Sequence, residues 1–516
     1  MKFLFLFFFT LYFLSFWINA QQTLPLPAQT LAEEFVYMDL NDALREPQKV
    51  YKLSLIGKKL NQFPSEILKL KNLQELNLSN NQLTQVPTSI INLKNLESIN
   101  LSNNKFKRLV VPFDSLKFLK HLDLSRNLLD TLETSFRKAV PLENFSLSHN
   151  QFKEIPNDWQ GLTAMKKLDF SNNQLVVLTD FIENWHQLED LYIQNNQLKE
   201  LPKNINKAKK IKRIFAQKNK LVNLPTNFGE LNELEELYLS ENQLMGLCDN
   251  FGNLIHLKTL DLHQNQLQKL PENWQKDGQL EKINLSFNQL VTIPLKLGEW
   301  KNIFKAELQQ NKLTEYNLAI TEWGKLQYLD MRFNQITKIP PQIQENQQLK
   351  ILFLAGNQIT NIPLEINKWL EINILDLSDN QMTNFPLSLL TLKTLKTLNL
   401  KNNQISTLPN NMKQMEKLNS LDLDNNRLLN IPDDLWEMPM LSRLYLNQNQ
   451  LQELPQSLEK STYLSEIVVR KNKIKKVNIN LAAIKKLNKF DIAENPLSTL
   501  EKQRLTKAYP TLLIIL

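Results

Sequence analysis

Few residues in this 516-residue sequence carry groups suited to nucleophilic or metal chemistry. The histidines are His121, His149, His186, His256 and His263, and the single cysteine is Cys248. A zinc site needs His or Cys ligands at short, fixed spacings, and a thiol nucleophile needs a base beside it. The sequence has no His-x-x-x-His pair and no cysteine partner at ligand spacing. Cys248 falls six residues after Asn242, where comparable segments carry proline, so it reads as a small residue at the edge of a core. No catalytic residue, metal ligand or cofactor site is expected.

Groups suited to contact are more regular. Tyr192, Phe215 and Tyr238 lie 23 residues apart, and Lys212, Arg213 and Lys218 flank them. Aromatic rings beside cations make strong contact points once solvent is excluded. A second set comprises Tyr328, Phe333 and Phe353, with Phe287 and Ile351 nearby and the small Ala355 and Gly356 leaving room for a shallow pocket. The acidic Glu189, Asp190, Glu235, Glu236 and Glu241 can neutralise the first set, which argues against a pure polyanion groove. The net charge of +8 is diluted over the whole chain, and no specific nucleic-acid binding is expected.

What positions these side chains is a repeat. From Leu73 the chain reads Leu-x-x-Leu-x-Leu-x-x-Asn-x-Leu, with Asn81 in the asparagine slot. The same asparagine returns every 23 residues as Asn104, Asn127, Asn150, Asn173, Asn196, Asn219, Asn242, Asn265, Asn288, Asn311, Asn334, Asn357, Asn380, Asn403, Asn426, Asn449, Asn472 and Asn495. One step earlier the slot holds Lys58 in a degenerate first unit, which brings the expected total to 20. Leu-x-Leu alternation has the period of a strand with one face inward, so each unit contributes one short parallel strand. The asparagine sits between buried leucines, and a buried amide must find hydrogen-bond partners, so it should form a ladder that ties each turn to its neighbours. Proline recurs six residues later, as at Pro87, Pro294 and Pro363, where the chain leaves the turn for an outer arc. Trp159, Trp185, Trp274, Trp300, Trp323, Trp369 and Trp436 follow nine to twelve residues after an asparagine and should fill the core of that arc. The sequons at Asn77, Asn100 and Asn284 arise from the repeat itself and are read as structural.

The unit, with its Leu-Pro-x-x-Ile segment, resembles the 23-residue plant-intracellular and Ras-group leucine-rich repeats, and the whole is similar to exported bacterial leucine-rich repeat proteins. The resemblance covers residues 50–516. It implies an α/β fold, a right-handed leucine-rich repeat solenoid or horseshoe, with a long parallel concave sheet and short helical, 3-10 or extended convex segments. It says little about the ligand, because one scaffold serves many partners. The helical catalytic domain of effector ligases and the membrane span and kinase of plant receptors find no counterpart in the sequence.

The expected organisation is a signal peptide over 1–20, an amino-terminal cap over 21–49, the repeats over 50–495 and a carboxyl-terminal cap over 496–516. Lys2 and the apolar run from Phe3 to Ile18, ending at Ala20, have the layout of an exported leader and are short for a membrane span. No linker interrupts the repeats, so one continuous body is expected, secreted, periplasmic or on the cell surface. The function predicted is non-catalytic binding of a protein or polysaccharide on the concave face; a structural, self-associating surface protein is the alternative.

Overall fold

The computed structural model describes residues 24–516, and the expected signal peptide lies outside the described residues. Its contacts divide into two compact units that meet in sequence at Leu221 and Val222. The sequence predicts one continuous body; the division falls within the unbroken 23-residue phase from Asn219 to Asn242 and not at a linker. Among the described residues the first unit carries nine strands, from Val36–Tyr37 to Arg213–Phe215, and the second thirteen, from Glu236–Tyr238 to Leu513–Ile515.

Within each unit neighbouring strands pair in parallel, and the register follows the repeat. Leu76 stands opposite Ile99 and Leu260 opposite Ile283, each 23 residues on. Most repeat strands are three residues long with the middle residue buried, as in Glu75–Asn77 and Lys282–Asn284. Alternation sends that residue into the core and the outer two onto an open sheet face.

Two features end most of the repeat strands. The residue before the ladder asparagine adopts a left-handed conformation, as in Asn80 at φ 58° and Gln264 at φ 54°, which turns the chain sharply. Proline then leads into a short 3-10 segment, as Pro64 does before Ser65–Lys69 and Pro363 before Leu364–Lys368. These outer segments bury Ile67, Ile90, Ile343 and Ile366 against the back of the sheet. The seven repeat tryptophans are buried with them.

Non-repeat elements pack beside the first and last repeat strands of the described residues. At the amino end Val36–Tyr37 pairs with Lys52–Ser54, between the short helices Ala28–Glu33 and Leu40–Ala43. Pro47 opens a 3-10 turn, Pro47–Lys49, because its fixed φ suits a first helical position. At the other end the helix Thr499–Ala508 starts on Ser498, whose hydroxyl accepts from the Glu501 amide at 3.1 Å. The Glu501 carboxylate accepts from the Val477 amide at 2.9 Å and from Arg504, and Arg504 holds its pKa down to about 2. Leu513–Ile515 then pairs with Lys489–Asp491.

Candidate functional site

The ladder asparagines hold the scaffold on which any site is built. The Asn265 Nδ2 donates to the carbonyls of Leu239, Leu262 and His263 at 3.0, 3.1 and 3.3 Å, and its Oδ1 accepts from the Leu244 amide at 2.9 Å. Asn104, Asn311 and Asn449 repeat this set. Each amide thus joins two successive units and satisfies backbone groups that the turn leaves unpaired. The sequon residues Asn77, Asn100 and Asn284 each accept from the amide two residues on, so their carboxamides close local turns.

The open face of the first unit brings together two contrasting surfaces. Ser98, Asn100, His121, Asp123, Asn144 and Asp169 line a depression floored by short polar side chains. Along the register Asp169 stands opposite Tyr192. There the surface becomes aromatic, and the Tyr192 and Phe215 rings stack at 4.7 Å with 4° between their planes. The Lys167 ammonium lies 4.9 Å from the centre of the Tyr192 ring. A flat π surface beside a polar trough can hold an apolar or aromatic group and the hydrogen-bonding backbone next to it. The trough was not legible as a site, because its residues are the short polar types that fill outward slots throughout the repeats.

The flanking cations are not free charges. Arg213 makes a bidentate pair with Asp190, both bonds at 2.6 Å, and Lys212 pairs with Glu189 at 3.0 Å. Lys212 belongs to an alternating row one residue ahead of the strands, in which Lys120 pairs with Glu97 and Lys166 with Glu143. Lys218, at φ 58°, occupies the left-handed turn that follows the strand. Tyr238 belongs to the second unit, where its hydroxyl donates to Glu236 at 3.1 Å.

In the second unit Tyr328 and Phe353 meet edge to face at 5.9 Å. Lys305 lies 5.3 Å from the Tyr328 ring centre, and Arg332 lies 4.9 Å from that of Phe353 while pairing with the buried Asp330 at 2.5 Å. Phe333 and Phe287 lie in the left-handed turn, both at φ 54° and half exposed. The Phe333 ring packs over Gly356, where a Cβ would come within 2.4 Å of it.

Further along this face Asp422 is pushed up to about 6, first by burial and then by the like charges of Asp424 and Asp376. Below about pH 4 it is protonated in folded and unfolded chains alike. Between pH 4 and 6 only the unfolded chain ionises, so its stabilising contribution is lost as pH rises through 6. Solvent screening at this half-buried site leaves on the order of 1 kcal/mol. Asp422→Asn is expected to remove that decline and to raise stability at pH 7, read by chemical unfolding at pH 4 and 7; an unchanged pH profile contradicts the assignment.

Burial pushes the Cys248 thiol up, so it is held as a thiol and not as a nucleophilic thiolate. Among the described residues no three His, Cys, Asp or Glu side chains converge as metal ligands, and no helix is long and apolar enough to cross a membrane.

The comparisons agree with this geometry. A leucine rich repeat model matches residues 48–106 and 370–428, a two-copy model matches 324–369, and a single-repeat model matches 233–254 and 256–276. No curated protein matches the sequence. Among solved structures, a leucine-rich repeat protein of Leptospira interrogans is 26% identical over 93% of this chain and 100% of that one, with a TM-score of 0.54. The plant peptide hormone receptor RGFR1 in complex with RGF2 shares 23% identity over 93% of this chain and 80% of that one, with a TM-score of 0.75. The ectodomain of the Arabidopsis thaliana receptor kinase GASSHO1/SCHENGEN3, in complex with CASPARIAN STRIP INTEGRITY FACTOR 2, shares 25% over 93% of this chain and 62% of that one, with a TM-score of 0.61. Recurrent asparagines, parallel strands in 23-residue register and these matches together show that the chain is a leucine-rich repeat protein.

Proposed function

We propose that this chain is an exported, non-catalytic binding protein that holds a protein partner, through an extended segment of it, on the open sheet face of the first unit. The observation that carries the reading is the stacked Tyr192–Phe215 pair beside the polar trough of Asn100, Asp123 and Asn144. Stacked rings are already ordered before binding, so contact with them costs little side-chain entropy, and the trough offers donors and acceptors to a peptide backbone. Plant receptors of the same fold are solved with peptide or protein ligands, which supports a protein partner over a polysaccharide.

The test is a binding screen of residues 21–516 against surface proteins, extended peptides and envelope polysaccharides, run beside a Tyr192→Ala/Phe215→Ala variant. Removing both rings is expected to weaken a protein or peptide hit by at least tenfold, about 1.4 kcal/mol, while the melting profile is kept. A hit of unchanged affinity moves the site to the Tyr328–Phe353 cluster. Hits confined to polysaccharides overturn the choice of partner.

A further inference from the structure

The slot seven residues after the ladder asparagine is exposed in most units, with Val111, Thr134 and Ile479 buried as exceptions. Over most units it is polar, as in Asp180, Lys203, Asp249 and Glu272, and later in Asn410, Asp433 and Gln456. In five consecutive units of the second body it is apolar instead: Leu295, Leu318, Pro341, Leu364 and Leu387. The four leucines are 63%, 45%, 70% and 62% exposed. The core does not require them, since the residues two further on, Leu297, Ile320, Ile343, Ile366 and Leu389, are fully buried and do that packing. The five outer segments that carry the row pack side by side, so the exposed side chains form one continuous ridge. A groove lined by Tyr316, Ile339, Pro340, Thr360 and Pro363 runs beside it.

We infer that this ridge is a self-association surface whose occupant is a second copy of the same chain, related by a two-fold axis near Pro341. The ridge exposes roughly 400–500 Å2 of apolar surface, at the upper end of what a monomer's largest patch carries. Two copies with their polar rims reach the roughly 1,200 Å2 at which stable interfaces begin. A second copy also brings a ridge of identical unit-to-unit spacing, so each side chain meets its counterpart in phase. An amphipathic helix, whose ridge repeats at ~5.4 Å per turn, has no such built-in match.

The order Leu-Leu-Pro-Leu-Leu reads the same in both directions, as an antiparallel two-fold pairing demands. Leu295 then faces Leu387 of the second copy, Leu318 faces Leu364, and Pro341 lies on the axis. The rim charges suit the same arrangement. Lys296, beside Leu295, comes within one unit of Glu365 of the second copy, and Lys338 within one unit of its Glu315. This surface is separate from the open sheet face and does not depend on the binding function proposed for it.

Sedimentation velocity of the full mature chain, with and without Leu318→Glu/Leu364→Glu, tests the inference. The unaltered protein is expected to shift from monomer to dimer as concentration rises to about 100 µM, and the variant to stay monomeric over that range with an unchanged circular dichroism spectrum and melting profile. A monomer throughout, or a folded variant that dimerises within a factor of three of the unaltered protein, overturns it. Oxidative cross-linking in a Cys248→Ala background tests the axis. Pro341→Cys alone should give a disulfide-linked dimer and Leu295→Cys alone should not; the reverse outcome overturns the two-fold arrangement.

Discussion

Trp300→Ala is expected to lower the stability of the second unit by about 3–5 kcal/mol, the range seen when a large buried aromatic side chain is removed and its cavity cannot collapse. Trp300 is fully buried, and its indole N–H donates to the Gln275 carbonyl at 2.7 Å. Trp274 meets it edge-on at 5.0 Å. Gly278 lies against its face so closely that a Cβ there would stand 2.0 Å from the ring. Truncation thus empties the space between neighbouring outer segments and leaves a carbonyl without its donor. Trp300→Phe restores most of the volume without the N–H and should recover more than half of the loss. Because repeat units are stabilised chiefly by their neighbours, the damage should appear as local amide exchange around 275–323 before global melting. A loss below about 1 kcal/mol for Trp300→Ala, against the several expected, sinks the account of the outer arc as a packed core.

Asn265→Ala is the second large effect. One side chain serves four backbone groups in two units, so its removal leaves the Leu244 amide and the carbonyls of Leu239, Leu262 and His263 without that partner. Water reaches the site poorly, since Asn265 is only 8% exposed. The expected cost is about 1–3 kcal/mol, set by desolvation of unpaired polar groups more than by the bonds themselves. Asn265→Asp makes a sharper control: the carboxylate still accepts from Leu244 but meets three carbonyl oxygens in place of donating to them. It should be at least as destabilising as alanine near pH 7, and to recover partly as the carboxyl protonates in acid. Urea unfolding of the three proteins at pH 4 and 7 separates these cases, and near wild-type stability of both variants contradicts the ladder.

The repeat makes much of this protein legible from residue types alone. Leu-x-Leu alternation specifies a strand with one buried face, asparagine at a fixed offset specifies a buried amide with several obligations, and proline marks where the strand can no longer continue. These are local rules restated every 23 residues, and so the strand positions and the parallel 23-residue register follow from sequence. The outward side chains were legible only in part. Tyr192 and Phe215 share a slot and therefore a column, but whether their rings stack, tilt or turn away depends on rotamers set by Lys167 and neighbouring side chains. Lys218 and Phe333 show how narrow the margin is: each lies one step before its asparagine, and that step places it in the left-handed turn and not in the strand.

The exposed ridge shows the same boundary from the other side. Its slot is visible in the sequence, but only the three-dimensional arrangement shows that the residues two positions later already fill the core while the ridge faces solvent. Periodicity decides which residues share a column, because it reflects backbone geometry repeated without change. Exposure, ring orientation and ion pairing are decided by side chains from different units meeting across 21 to 26 residues, and no single repeat carries that information.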